Sequence, residues 1–311
     1  MSNQITVTEF LLLGFSDIWE LQILHFMLFL AIYLAALTGN HLIITAIALN
    51  HHLHTPMYFF LNNLSILDLS SISIVVPKSI ANSLMSTRAI SYYGCAAQYF
   101  LFLFFTAAEL PLLIIMAYNW YIAICQPLHC KSMMKRRACV QMAASTWISV
   151  VLNSALHTGN TFAIIFCGDN EMEQFFCKIP QLLKLASYDS YLSETGVIAF
   201  SVYFALSYFV FIIVSYVLIL KIVLGIPSEQ GWHKAFSACI LHVIVVSVFV
   251  CTASFAYIKP TSSSISGLDH MVAVVYSVVP SMINPIIYSM RNKDISAALW
   301  KMIGSRLFSK K

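Results

Sequence analysis

The 311-residue chain is 59% hydrophobic and only 10% charged, against about 45–50% and 25% in soluble domains. A soluble fold could not cover that much apolar surface, so lipid must solvate much of the chain. The formal net charge is +4, with no basic patch interleaved with aromatics of the kind nucleic acid requires, and the 8 cysteines lack metal-ligand spacing.

In chain order, Met1 to Glu20 carry no Lys or Arg, and no small-residue cleavage site follows an apolar core, so no cleavable leader is expected. Crossing a bilayer core of about 30 Å takes roughly 20 apolar residues per helix. Such runs lie near Leu21–Leu49, Met57–Leu84, Cys95–Cys125, Cys139–Phe162, Thr195–Leu224, Ala235–Ile258 and Leu268–Met290. The expected fold is therefore an all-α membrane protein, a seven-transmembrane helix bundle. Residues 1–20 form an amino-terminal segment, 21–290 the bundle and 291–311 a tail. By hydropathy the second and seventh runs read as the weakest. Their polar residues, Asn62, Asn63, Ser65 and Asp68 in one and Ser277, Ser281 and Asn284 in the other, should face the bundle interior.

The basic residues choose the orientation. Lys131, Lys135, Arg136, Arg137, Lys221, Lys234, Arg291, Lys293 and the tail lysines and arginine fall on one side, leaving Lys78, Arg88, Lys178, Lys184 and Lys259 for the other. By the positive-inside rule, the amino terminus is outside and the tail is cytoplasmic; the plasma membrane is the expected location. One long loop spans about Asn160 to Glu194, a length that is usually functional or tied down. Lys293–Leu307 alternates apolar and basic residues, which suggests a short helix on the inner leaflet.

Asp68 and Glu109 are carboxyl groups deep in the second and third runs. Intramembrane acids are expensive and point to function. Either a hard cation or protons must neutralise them. Pro285 lies inside the seventh run, where it removes a backbone donor and kinks the helix. No nucleophile–base pair or cofactor fingerprint is present, so an enzyme is not expected. A transporter would show inverted repeats or paired broken helices, and neither is visible.

The motifs carry a resemblance from end to end. They include Thr8–Phe15 (TEFLLLGF), Gly39-Asn40, Leu53–Leu61 (LHTPMYFFL), Leu64–Asp68 (LSILD), Met116–Cys125 (MAYNWYIAIC), Pro127-Leu128-His129, Ser215-Tyr216, Lys234–Cys239 (KAFSAC) and Asn284–Asn292 (NPIIYSMRN). With these the chain resembles vertebrate olfactory receptors, rhodopsin-like G-protein-coupled receptors of the land-vertebrate class, and looks closest to their family 14.

The resemblance implies a function and its residues. A small, volatile, mostly apolar odorant would bind within the bundle, and a stimulatory heterotrimeric G protein would respond. Cys95 would pair with Cys177 in a disulfide that pins the long loop over the bundle mouth. A second bridge usual in the family has Cys167, but its expected partner position reads Ala186-Ser187-Tyr188, so Cys167 is expected to be unpaired. Asp68 and Glu109 would lie by a bound sodium ion that steadies the resting state; no other cofactor is implied. Asn284, Pro285 and Tyr288 would form a mobile joint, with Tyr216 as the partner of Tyr288. The odorant pocket would draw on Phe102, Leu103, Thr106 and Ala107, on Phe200, Ser201 and Phe204, and on Val250, Ala253, Ser254 and Tyr257. For any one of these, plain helix packing is an equal reading. The family normally has Tyr where Val250 stands.

The departures cluster at the cytoplasmic face. Where the family reads Asp-Arg-Tyr at the G-protein interface, this chain has Asn119-Trp120-Tyr121. An indole has one donor and no charge and cannot imitate a guanidinium fork. Trp232 occupies a usually basic position, and Gln126 stands where His is common in the family. The sole glycosylation triplet, Asn63-Leu64-Ser65, lies inside a span, so an unglycosylated amino terminus is expected. The sequence thus specifies a receptor whose coupling is weakened, with a relic that folds but does not signal as the alternative.

Overall fold

The computed structural model describes residues 8–12, 18–85, 89–125, 135–163, 171–172, 177, 182, 267–291 and 293–308. It also describes scattered positions between 196 and 221 (196, 199, 202–203, 206–207, 209–211, 213–214, 216–218 and 221), and 246, 247, 250 and 251.

The long helices are α1 (Trp19–Leu49), α2 (Pro56–Met85), α3 (Tyr92–Cys125), α4 (Arg136–Phe162) and α5 (Gly267–Arg291), the last being the seventh apolar run. A shorter helix, α6 (Lys293–Phe308), follows it. The long helices begin and end within 3 residues of the expected runs. Helices α1 to α4 are each long and apolar enough to cross a membrane. One expectation needs correcting: α4 is less apolar than α2. It opens on Arg136-Arg137 and carries Gln141, Asn153, His157 and Asn160, which lowers its average below that of a helix with a few concentrated polar sites.

Consecutive helices pack as neighbours, α1 on α2, α2 on α3 and α3 on α4. Helix α5 closes against both α1 and α2, and α6 lies against α1 and α5. The side chains turned outward are large and apolar, among them Leu24, Met27, Leu34, Ile148, Leu152 and Leu156. Such a surface suits lipid rather than water.

Helix ends need partners for their unpaired backbone groups. At the end of α1, Asn50 Nδ2 donates to the Ala46 carbonyl at 2.7 Å, and His54 Nε2 lies 3.1 Å from the Ile47 carbonyl oxygen. At the start of α3, Ser91 is the cap, its hydroxyl oxygen accepting from the Gly94 backbone N–H at 3.1 Å. A Cβ on Gly94 would fall 2.9 Å from that same oxygen, so glycine is what lets the cap close.

Three short strands lie at the end of the bundle where α3 begins. The central strand, β1 (Glu9–Leu12), pairs antiparallel with β2 (Ala89–Ser91) and parallel with β3 (Glu171–Met172). The Tyr92 N–H extends the β1–β2 ladder by donating to the Thr8 carbonyl at 3.0 Å. No strand was expected from the sequence, because a four-residue run such as Glu9–Leu12 is too short to show alternation.

Candidate functional site

The polar residues of α2 and α5 do face inward. Asp68 is fully buried, and Asn284 Nδ2 donates to both of its carboxyl oxygens, at 3.3 and 3.1 Å. The Ser71 and Ser281 hydroxyls meet at 3.2 Å, and Ser71 also donates to the Asp68 carbonyl. Glu109, buried in α3, is close enough to Asp68 for their charges to interact. The Asn284 side-chain oxygen accepts no hydrogen bond among the described residues. Two buried carboxyl groups, two hydroxyls and an unpartnered amide oxygen are the ligand types a hard cation takes.

The seventh helix runs continuously over Gly267–Arg291 with Pro280 and Pro285 inside it. A proline removes the donor to the carbonyl four residues earlier, which for Pro285 is that of Ser281. Asn40 of α1 supplies the missing donor: its Nδ2 reaches the Ser281 carbonyl at 2.9 Å and its own Ala36 carbonyl at 3.0 Å. Gly39 brings α1 that close, since a Cβ there would stand 3.0 Å from Pro285 Cβ. Tyr288 and Tyr216 are both buried and belong to one apolar cluster with Leu64, Leu67, Leu113 and Met116.

At the other end of α3, Cys95 and Cys177 form a disulfide, both fully buried. Gln98, one turn further along α3, reinforces it. Its Nε2 donates to the Ile74 carbonyl of α2 at 3.2 Å, and its Oε1 accepts from the Cys177 N–H at 3.1 Å. The segment at Cys177 is therefore tied twice to α3 and through it to α2. Cys167 lies outside the described residues.

Of the expected pocket residues, Phe102 and Val250 are buried, and Leu103, Thr106 and Ala107 are partly buried. Ala107 packs against the cluster that contains Val250. Phe200, Ser201, Phe204, Ala253, Ser254 and Tyr257 lie outside the described residues. Toward the far end of α3 the helix runs unbroken to Cys125, and Asn119 is buried. The side chains of Trp120 and Tyr121 lie outside the described residues. At that same end Tyr58 of α2 donates to Asp294 Oδ2 in the first turn of α6, at 3.1 Å.

Sequence reasoning missed Gln98, the role of Asn40 and the Tyr58–Asp294 bond. Asn40 had a signal in the donor missing at Pro285; the other two pair residues far apart in sequence with nothing local to announce them.

A bundle of membrane-length helices with a buried acid pair, prolines inside the last span and a disulfide-tied loop defines a seven-span membrane receptor. The family model described as olfactory receptor matches residues 29–306. Human olfactory receptor 14I1 is 48% identical over 311 residues, covering 100% of both chains. Human olfactory receptor 14A16 is 47% identical over 310 residues, again 100% of each. Human olfactory receptor 14L1 is 45% identical over 302 residues, 97% of this chain and 93% of the relative. The chain belongs to the olfactory receptor family, odorant-sensing G-protein-coupled receptors that cross the membrane several times and are not enzymes.

Proposed function

We propose that this receptor binds a small, mostly apolar odorant inside its bundle from the outer side and signals weakly or not at all through a stimulatory G protein. The basic residues support an outward amino terminus and a cytoplasmic tail. Phe102, Leu103, Ala107 and Val250 support an apolar ligand, because pockets for small molecules are lined mostly by apolar groups with a few polar ones. Val250 in place of the family's Tyr leaves a roomier and less polar floor.

The observation that carries the coupling half is Asn119-Trp120 near the inner end of α3. In related receptors the arginine at the second position reaches the G protein and the tyrosine of the fifth span. Trp120 offers one indole donor in place of five guanidinium donors and carries no charge. Asn119 removes the acid that would restrain an arginine in the resting state. A receptor of this kind folds and takes ligand while passing on little of the signal.

The resting state would be steadied by sodium. Asp68 and Glu109 would hold the ion, with Asn284 and Ser281 beside them. Two carboxylates repel strongly in a low-dielectric interior, and a cation between them supplies the offsetting charge.

An odorant panel on cells that display the receptor, read as cyclic AMP, tests the proposal with Trp120→Arg beside the parent. The expected result is odorant responses in Trp120→Arg and weak or absent ones in the parent. Equal and robust responses in both refute it.

A further inference from the structure

The side chains of β1 alternate, as strand geometry requires. Phe10 and Leu12 are turned inward and are 0% exposed; Glu9 and Leu11 point the other way. The inward pair packs into one cluster with Cys95, Tyr99, Cys177 and Leu182. Tyr92, Phe162 and Leu103 pack against that cluster. The Phe10 and Tyr92 rings stack with centroids 6.1 Å apart, and the Tyr92 hydroxyl donates to the Phe162 carbonyl at the end of α4.

Helical spacing continues this cluster into the bundle. Cys95, Tyr99, Leu103 and Ala107 follow one another at intervals of four along α3, so they share a face. The first two belong to the cluster under β1, the third packs against it, and the fourth packs against the cluster that holds Val250. Phe10 and Leu12 therefore stand at the head of the column whose lower members are expected pocket residues. Among the described residues the ladder of β1 is short, three residue pairs to β2 and two to β3, and burial of its two inward side chains adds to it.

We propose that Phe10 and Leu12 form the roof of the odorant pocket, and that β1 sets which molecules reach it. This rests on the reading that the pocket lies beneath Leu103 and opens outward. The roof is apolar, so it seals over apolar guests and disfavours those with a polar group at the upper end. Its residues lie outside the helices to which the family resemblance assigns ligand contacts.

The test needs neither odorant nor G protein. Leu103→Cys, with Cys167→Ser to remove a competing thiol, is exposed on intact cells to a cationic, membrane-impermeant methanethiosulfonate reagent, and the labelling rate is measured. Adding Phe10→Ala and Leu12→Ala is expected to speed labelling by about tenfold or more, the effect on an opening equilibrium of losing a buried apolar side chain. Leu11→Ala, on the outward face, is expected to leave the rate unchanged. A second variant avoids any folding penalty. Because Tyr92 donates to Thr8, the facing pair Leu11 and Ala89 is a non-hydrogen-bonded pair, with Cα atoms about 4.5 Å apart and within reach of a disulfide. Leu11→Cys with Ala89→Cys should lock the strand and slow the labelling of Leu103→Cys. Equal rates in the parent, alanine and locked forms overturn the roof. Labelling only after permeabilisation overturns the outward orientation instead, and the same rate comparison made there still judges the roof.

Discussion

The side-chain amide of Asn40 donates to the backbone carbonyl of Ser281, the group that Pro285 leaves without a helical partner. The seventh span is thus tied at Pro285 to the first span. Pro285 alone would leave a buried acceptor unmet inside lipid, where that is most costly. With Asn40 in place that carbonyl is met, next to the Asn284–Asp68 bond and one turn from Tyr288.

Asn40→Ala should therefore destabilise the receptor by about 1–3 kcal/mol, the range for stranding a buried polar group. Thermal unfolding in detergent measures it. Thr45→Ala is the control, because among the described residues the Thr45 hydroxyl serves only the His41 carbonyl of its own helix and should cost no more than about 0.5 kcal/mol. Equal losses in the two variants would remove this contact from the account.

Gly39 makes the same contact from the steric side. Its substitution by Val should cost about 1–3 kcal/mol through overpacking against the rigid Pro285 ring. Ala should fall between Gly and Val. Unfolding midpoints in the order Gly, Ala, Val are the expected result, and a Val variant as stable as the parent contradicts the close approach.

Tyr58→Phe removes the bond to Asp294 and should loosen α6. The loss should be about 1 kcal/mol, at the low end for a charged acceptor, since Asp294 is exposed and water competes for it. Amide hydrogen exchange localises it: α6 should exchange faster while α2 and α3 stay protected. Unchanged exchange in α6 would show that its packing on α1 and α5 suffices.

Sodium gives a metal-dependent prediction. Replacing sodium by N-methylglucamine at constant ionic strength should lower the thermal midpoint of the resting receptor by about 3 °C or more. Asp68→Asn should abolish that dependence. A midpoint indifferent to sodium in the parent means that protons, not a cation, neutralise Asp68 and Glu109.

How much of this was legible in the sequence follows from the range of the interactions. The spans could be read because roughly 20 apolar residues in a row are a local signal, and the polar faces of α2 and α5 because lipid forbids the alternative. The Cys95–Cys177 pairing came from family resemblance; no local pattern would have joined residues 82 apart. The β2-β1-β3 sheet was invisible, since each strand is too short for periodicity and its partners are remote. Gln98 was missed for a related reason: a lone polar residue at the end of an apolar run looks like an interfacial side chain until its two backbone partners are seen.

The coupling claim is tested most directly with purified receptor in lipid nanodiscs, where surface delivery plays no part. Odorant-dependent guanine-nucleotide exchange on the stimulatory G protein is measured for the parent and for Trp120→Arg. Restoring charge-assisted hydrogen bonds worth about 1.5–3 kcal/mol corresponds to roughly tenfold or more in rate. The account predicts exchange faster by that factor in Trp120→Arg, with odorant affinity unchanged. A parent receptor that drives exchange as fast as Trp120→Arg contradicts it.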